Sequence, residues 1–270
     1  MTLKKLRAHF YPIYRLWIEY KSHNSKLIDI MNHYNDFFFQ DLEVDKSEAF
    51  ALHQEIMTLV SLPTAPDESM HRVLFAALKL SGWQPKTILE LGTFMGETTA
   101  YLTRLFPDAH VYTVDIPSDD PIYETMHPEG ATVNQALIKE RLNNRNVSIV
   151  RINTLWLMEQ DMPDFDLIWL DAGHEYPEVG WDHFFCLQKL NPNGWLFTDD
   201  LKLTQSDGKL LLDPKNTDIN HVIHYVNQRL QIPFQWVLKR ESAADFLFRP
   251  KGIGFVHARP EPSTNKTRLG

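Results

Sequence analysis

From residue 87 to about 200, short apolar runs and helical patterns take turns along the chain, and this alternation restricts the fold more than any other feature. Apolar runs that suit buried strands fall at 87–91, 110–115, 147–152, 165–170 and 194–198, with helical patterns near 96–106, 131–143 and 178–190. Strands separated by helices pair in parallel, and a parallel sheet needs helices on both faces. The expected class is α/β with a doubly wound, mostly parallel sheet. After residue 200 the alternation weakens. Asp218–Leu230 reads as a helix capped by Thr217 or Asp218, and Gln235–Lys239 and Ile253–Ala258 read as two closing strands, which brings the sheet to seven.

Residues 1–82 hold no convincing strand pattern. Leu3, Leu6, Phe10, Ile13 and Trp17 recur at helical steps, and aromatic residues are dense, with Phe37-Phe38-Phe39 among them. A helical layer packed on the main domain is the favoured reading. The segment could also cover the site, touch a membrane surface, or join subunits into a dimer or larger homo-oligomer. Pro63 and Pro66 break the pattern, and Asp67 or Ser69 is expected to cap a helix over 69–81. The division is then 1–82, a helical extension; 83–260, the main domain; and 261–270, a flexible tail.

The stretch Thr87–Gly96 joins an apolar strand, a glycine turn and a helix start. That geometry lets backbone N–H groups approach a ligand, and Gly92 and Gly96 remove the Cβ atoms that would block it. Alone it is also an ordinary strand-to-helix turn. A second apolar strand ends in Asp115, placed to accept hydrogen bonds from a ribose diol. Glu90-Leu-Gly92, Gly96 and the strand-end Asp115 resemble the cofactor site of class I S-adenosylmethionine (SAM)-dependent methyltransferases, a Rossmann-like fold. By that resemblance Gly92, Thr93, Gly96 and Thr98 lie against SAM, Glu90 supports the loop, Asp115 holds the ribose, and Asn153 faces the adenine. The glycine common just before that last position is Ile152 here. The loop 116–130 is long for its place and reads as a lid or a solvated loop.

Two further strands end in acids: Phe165–Asp171, with His174 three residues on, and Gly194–Asp200. In a doubly wound sheet their carboxyl ends share one crevice. Asp171, Asp199 and Asp200 would then converge, and like charges in that proximity call for a cation. A hard divalent ion with oxygen ligands supplies one. The other reading is that Asp199 or Asp200 caps a following helix. Asp171-x-x-His174 with a later acidic pair resembles metal-dependent O-methyltransferases acting on macrolide sugars, and less closely the catechol and caffeoyl-CoA types. The resemblance covers about residues 80–200. It implies Asp171, Asp199 and Asp200 as ligands of Mg2+ or another divalent cation, Asp171 also beside the cofactor, and His174 as general base. Relatives carry Glu-Asp or Asp-Asn where this chain has Asp-Asp.

A net charge of −8 argues against a nucleic-acid partner. The single cysteine, Cys186, excludes an intramolecular disulfide and suits a reducing, cytoplasmic setting. No apolar stretch is long enough to predict a transmembrane segment. The expected activity is O-methylation of a small-molecule hydroxyl. The rivals are a nicotinamide dehydrogenase, a methyltransferase-like fold doing other metal chemistry such as hydroxylation, and a non-catalytic binding module.

Overall fold

The computed structural model of the protein describes residues 33–62, 69–123, 135–143, 145–206, 209–241 and 250–258. Five strands alternate with helices as the sequence predicts: β1 (Thr87–Leu91), β2 (His110–Asp115), β3 (Val147–Arg151), β4 (Phe165–Leu170) and β5 (Leu190–Ser206). Three more follow, β6 (Lys209–Leu212), β7 (Gln235–Leu238) and β8 (Lys251–His257). The main path runs β3-β2-β1-β4-β5-β8-β7. Pairing is parallel from β3 to β5 and antiparallel at β8, which lies between β5 and β7. This is the doubly wound, mostly parallel sheet expected, with β6 added as a hairpin partner of β5.

The faces of the sheet separate two cores, as the period of two along a strand requires. Ile88, Leu167, Trp169 and Phe197 point into one. Leu89, Leu91, Ile168 and Leu196 point into the other. The first face is covered by α1 (Asp36–Asp41), α2 (Lys46–Leu59), α3 (His71–Leu80) and α4 (Glu97–Leu105), through Phe38, Met57, Phe75, Leu78 and Tyr101. Phe38 meets Trp195, Phe197 and Phe255 edge-on, with centroids 5.8, 6.2 and 5.2 Å apart. Asn35, fully buried, accepts a hydrogen bond from Leu238 N (2.7 Å) and donates one to Leu238 O (3.1 Å), fixing the start of α1 to β7. The second face is covered by a 3₁₀ turn (Thr154–Glu159) and α6 (Glu178–Lys189), which bring in Leu157, Phe185 and Cys186. Between α4 and the 3₁₀ turn in sequence, α5 (Gln135–Leu142) packs on α4, and after the sheet's long strand α7 (Asp218–Leu230) packs on α6. No helix among the described residues is long and apolar enough to cross a membrane.

Several expectations change. The strand predicted at 194–198 continues through the acids to Ser206, because Leu201 and Leu203 are buried while Lys202 and Thr204 are exposed. No helix follows for Asp199 or Asp200 to cap. The register between β5 and β8 shifts between Thr198 and Leu201, and Asp200 has φ +58. That is a bulge, a device that re-aims side chains. The helix expected from residue 69 begins at His71, with Met70 as its N-cap and no side-chain bond there; Met70 N instead donates to Lys239 O at 2.8 Å. Asp67, the other cap candidate, lies outside the described residues, as do residues 1–32, 124–134 and 259–270, and so the tail and the second half of the expected lid. Thr217 caps α7 as expected, accepting from Asn220 N.

Candidate active site

Strands β1, β2 and β4 end side by side, and a cleft of about 370 Å³ opens at their carboxyl ends. Its polar lining includes Asp115, Asn153, Thr154, Asp171 and Glu178; its apolar lining includes Phe94, Val114, Ile116, Ile122 and Ala172. Gly92 lies at its floor with φ +103, and a Cβ there would fall 2.2 Å from the backbone carbonyl of Asp171. Only glycine lets the β1 turn and the end of β4 approach this closely. Gly96 differs. Its φ of +71 is left-handed, but an added Cβ would meet only side chains at 3.5 Å or beyond.

Asp115 accepts from Phe94 N (2.8 Å) and Ile116 N (2.9 Å), and Arg151, at the end of β3, approaches it at 3.4 Å. The carboxylate therefore shapes the turn after β1, where Phe94 holds a left-handed φ of +42. It still lines the cleft, and a carboxylate has about four acceptor positions to offer. Asn153 accepts from Leu155 N (3.1 Å) and donates to Asp120 (3.3 Å), tying the 116–123 segment to the cleft.

Four of the expected cofactor residues, Glu90, Thr93, Gly96 and Thr98, are not in the cleft's lining. Glu90 is buried and accepts from Thr113 Oγ1 (2.6 Å) and from Thr99 Oγ1. Burial pushes its carboxyl up to about 7, against the pull of those two hydroxyls. Thr93 Oγ1 is 2.6 Å from Thr113 Oγ1. Thr98 Oγ1 is 3.3 Å from His71 Nε2, whose ring stacks on Trp169 at 4.7 Å. These groups form a polar layer under the glycine turn, and Glu90 supports the loop from below.

The acidic trio sits at the neighbouring strand ends. Burial, and then the charge of Asp199, raise the Asp171 carboxyl well above the usual range. His174 Nε2 lies 3.8 Å from Asp171 Oδ1, beyond hydrogen-bond reach, and has no hydrogen-bond partner among the described residues. Burial lowers its pKa, although Asp200 and Asp199 pull the other way. The imidazole is thus neutral at pH 7 and able to take a proton.

Asp199 and Asp200 are engaged by lysines. The bulge turns both toward Lys239, which follows β7: Nζ meets Asp199 Oδ2 and lies 2.6 Å from Asp200 Oδ1. Lys251, which opens β8, meets Asp200 Oδ2. Burial alone would raise Asp200, yet the two lysines hold it well below the usual carboxylate range. The expected Mg2+ ligands therefore do not fit a divalent ion as they stand. Two of the three carboxylates already face ammonium groups, and among the described residues no group of three or more His, Cys, Asp and Glu side chains is placed to hold a metal. The sequence reading passed over Lys239 and Lys251. The signal was present: an antiparallel pair of closing strands brings the end of the first to the start of the second, and Lys239 N does donate to Lys251 O at 2.9 Å.

Residues 89–201, which hold this glycine turn and all three acids, match a family model described as a methyltransferase domain. The match spans 113 of the chain's 270 residues, and over that stretch the chain is similar to this family. The match agrees with the resemblance read from Glu90, Gly92, Gly96 and Asp115. The chain has no match among curated protein sequences. Solved structures similar to the methyltransferase domain and its surroundings include an O-methyltransferase from Bacillus cereus in complex with SAH, at 17% identity over 77% of this chain and 90% of that one, TM-score 0.46. Others are the O-methyltransferase TomG from Streptomyces achromogenes, involved in tomaymycin synthesis and in complex with SAM (18%, 83% and 95%, TM-score 0.45), and a putative caffeoyl-CoA O-methyltransferase from Staphylococcus aureus (15%, 79% and 98%, TM-score 0.48). These overlays are loose, and the fold rests on the strand order itself.

Proposed function

We propose that the protein transfers a methyl group from SAM to a hydroxyl of a small molecule. The observation that carries this reading is the cleft at the carboxyl ends of β1, β2 and β4, with Gly92 as its floor and Asp115, Asp171 and Glu178 in its lining. An acid-lined, part-apolar cleft suits a ligand that joins an apolar base, a ribose diol and cationic groups. When bound, SAM supplies an activated methyl group on a positively charged sulfur.

The chain's own groups supply the rest. Asp115 presents its remaining acceptor positions to the ribose, and Asn153 and Thr154 line the far wall. His174 takes the proton of the acceptor hydroxyl at Nε2, which is buried and unpartnered. Asp171 lies 3.8 Å from the same nitrogen, with no hydrogen bond between them. No step runs through Mg2+ or another divalent ion, because Lys239 and Lys251 already balance Asp199 and Asp200. Alignment and exclusion of water are then the protein's main contribution to rate.

Calorimetry with SAM, SAH and NAD separates this reading from the dehydrogenase. Saturable binding of SAM and SAH, weakened at least tenfold in Asp115→Ala, is expected; no uptake of SAM refutes it. With labelled SAM and a panel of hydroxylated acceptors, His174→Gln should keep its SAM affinity and lose methyl transfer by about 10²–10⁴-fold. Unchanged transfer would remove His174 as the base.

A further inference from the structure

We infer that Lys239, assisted by Lys251, fills the electrostatic place that a divalent cation was expected to take, so that this methyltransferase domain works with a lysine-neutralised carboxylate cluster and binds no catalytic metal. The inference rests on the methyl-transfer reading for its meaning, but its geometry and its test do not involve the cofactor.

The bulge supplies the first argument. Successive residues of a regular strand point to opposite faces, so Asp199 and Asp200 would not ordinarily reach one partner. Here β5 spans Thr198 to Leu201 against only Gly254 to Gly252 on β8, and Asp200 adopts φ +58. A left-handed aspartate is tolerated where a β-branched residue would not be. The result is that both carboxylates converge on one ammonium group, Lys239 Nζ, and that Asp200 has its second oxygen on Lys251.

The second argument is how firmly Lys239 is held. It is only 9% exposed. Its backbone N donates to Lys251 O (2.9 Å), and its carbonyl accepts from Met70 N (2.8 Å), so the end of β7, the start of β8 and the start of α3 fix its position. A divalent ion would have to displace this ammonium from both carboxylates and leave it buried without a counter-charge, a state that proteins avoid. Asp199 and Asp200 meet two ammonium groups, so the Coulomb repulsion between that pair is offset within the chain. Lys239 thereby acts as a positioning residue: it holds Asp199 beside Asp171 rather than touching substrate.

The test uses the full chain, freed of metal by chelation and without cofactor, titrated with MnCl2 and followed by calorimetry and by the loss of the free Mn2+ paramagnetic resonance signal. The wild-type protein should show no saturable uptake. Lys239→Met removes the ammonium at similar volume and should create a site that takes up one Mn2+ at least tenfold more tightly, lost again when Asp199→Asn is added. If Lys239→Met fails to fold, Lys251→Met, at a more exposed lysine, carries the same test with the same direction. Uptake of one Mn2+ by the wild type that Asp171→Asn or Asp199→Asn abolishes would overturn the inference, and so would absence of uptake in a folded lysine variant. Because no step needs SAM, a failure here is distinct from failure of the methyl-transfer reading.

Discussion

Substituting Gly92 by alanine should break the methyltransferase site from its floor. The new Cβ would lie 2.2 Å from the Asp171 carbonyl oxygen and 2.8 Å from its carbon. Ordinary contact needs about 1 Å more, and interiors are packed too densely to yield that freely. The neighbours that must give are backbone: Asp171 N is bonded to Leu91 O at 2.9 Å, and Gly92 N to Val114 O at 2.9 Å. Overpacking of this kind costs about 1–3 kcal/mol. The left-handed φ of +103 adds about 1–2 kcal/mol for any residue with a Cβ. A loss of about 3 kcal/mol in urea unfolding is expected, with SAM affinity reduced by at least about tenfold because Asp115 and Asp171 are pushed apart. Gly96→Ala is the internal control. Its Cβ meets only Leu142 and Ile138 side chains at 3.5–3.6 Å, so the backbone penalty of about 1–2 kcal/mol stands alone. Equal losses for the two variants, or a Gly92→Ala protein with native SAM affinity, would refute the argument that close backbone approach is what this glycine provides.

Two further expectations concern stability. Asp182 on α6 is buried, and burial pushes its pKa from 3.8 up to about 7 against the pull of the Thr154 hydroxyl. The native state then keeps a proton that the unfolded chain releases, so stability should fall as pH rises from about 4 to 7, by roughly 4 kcal/mol, and level off above. Asp182→Asn should remove that slope; parallel pH curves for variant and wild type in chemical denaturation would contradict it. Asn35→Ala should cost about 2–3 kcal/mol, because it leaves Leu238 N and O buried without their partners. An unchanged urea midpoint would show that the contact is dispensable.

The sheet was legible because its strands announce themselves twice, by β-branched apolar runs and by glycines or acids at their ends. Thr87–Leu91, His110–Asp115 and Phe165–Leu170 fall where the pattern puts them. The continuation of β5 past Asp199-Asp200 was missed for a physical reason. Two adjacent acids look like the end of an apolar strand, whereas here a bulge carries them and the alternation of Leu201 and Leu203 resumes beyond. The cofactor-side residues divide similarly. Gly92, Asp115, Asn153 and Asp171 line the cleft, while Glu90, Thr93 and Thr98 bond beneath it, since side-chain direction along a strand or turn is settled by packing rather than by spacing. The charge argument picked out carboxylates that lie at neighbouring strand ends, and two of them meet lysines of the same chain. The lysines lie more than thirty residues downstream of Asp200 and meet it only through the antiparallel return of β7 and β8.

The bonds from Asn35 reach further than local anchoring. Among the described residues β7 is the outermost member of the sheet on its side, with β8 as its only strand neighbour, and such a border offers open peptide groups to any extended chain that passes. The carboxamide of Asn35 answers Leu238 as another peptide would, on donor and acceptor alike. A short helical segment thereby seals the rim of the sheet against strand addition, and a form of the protein trimmed beyond residue 35 would be expected to self-associate through that rim.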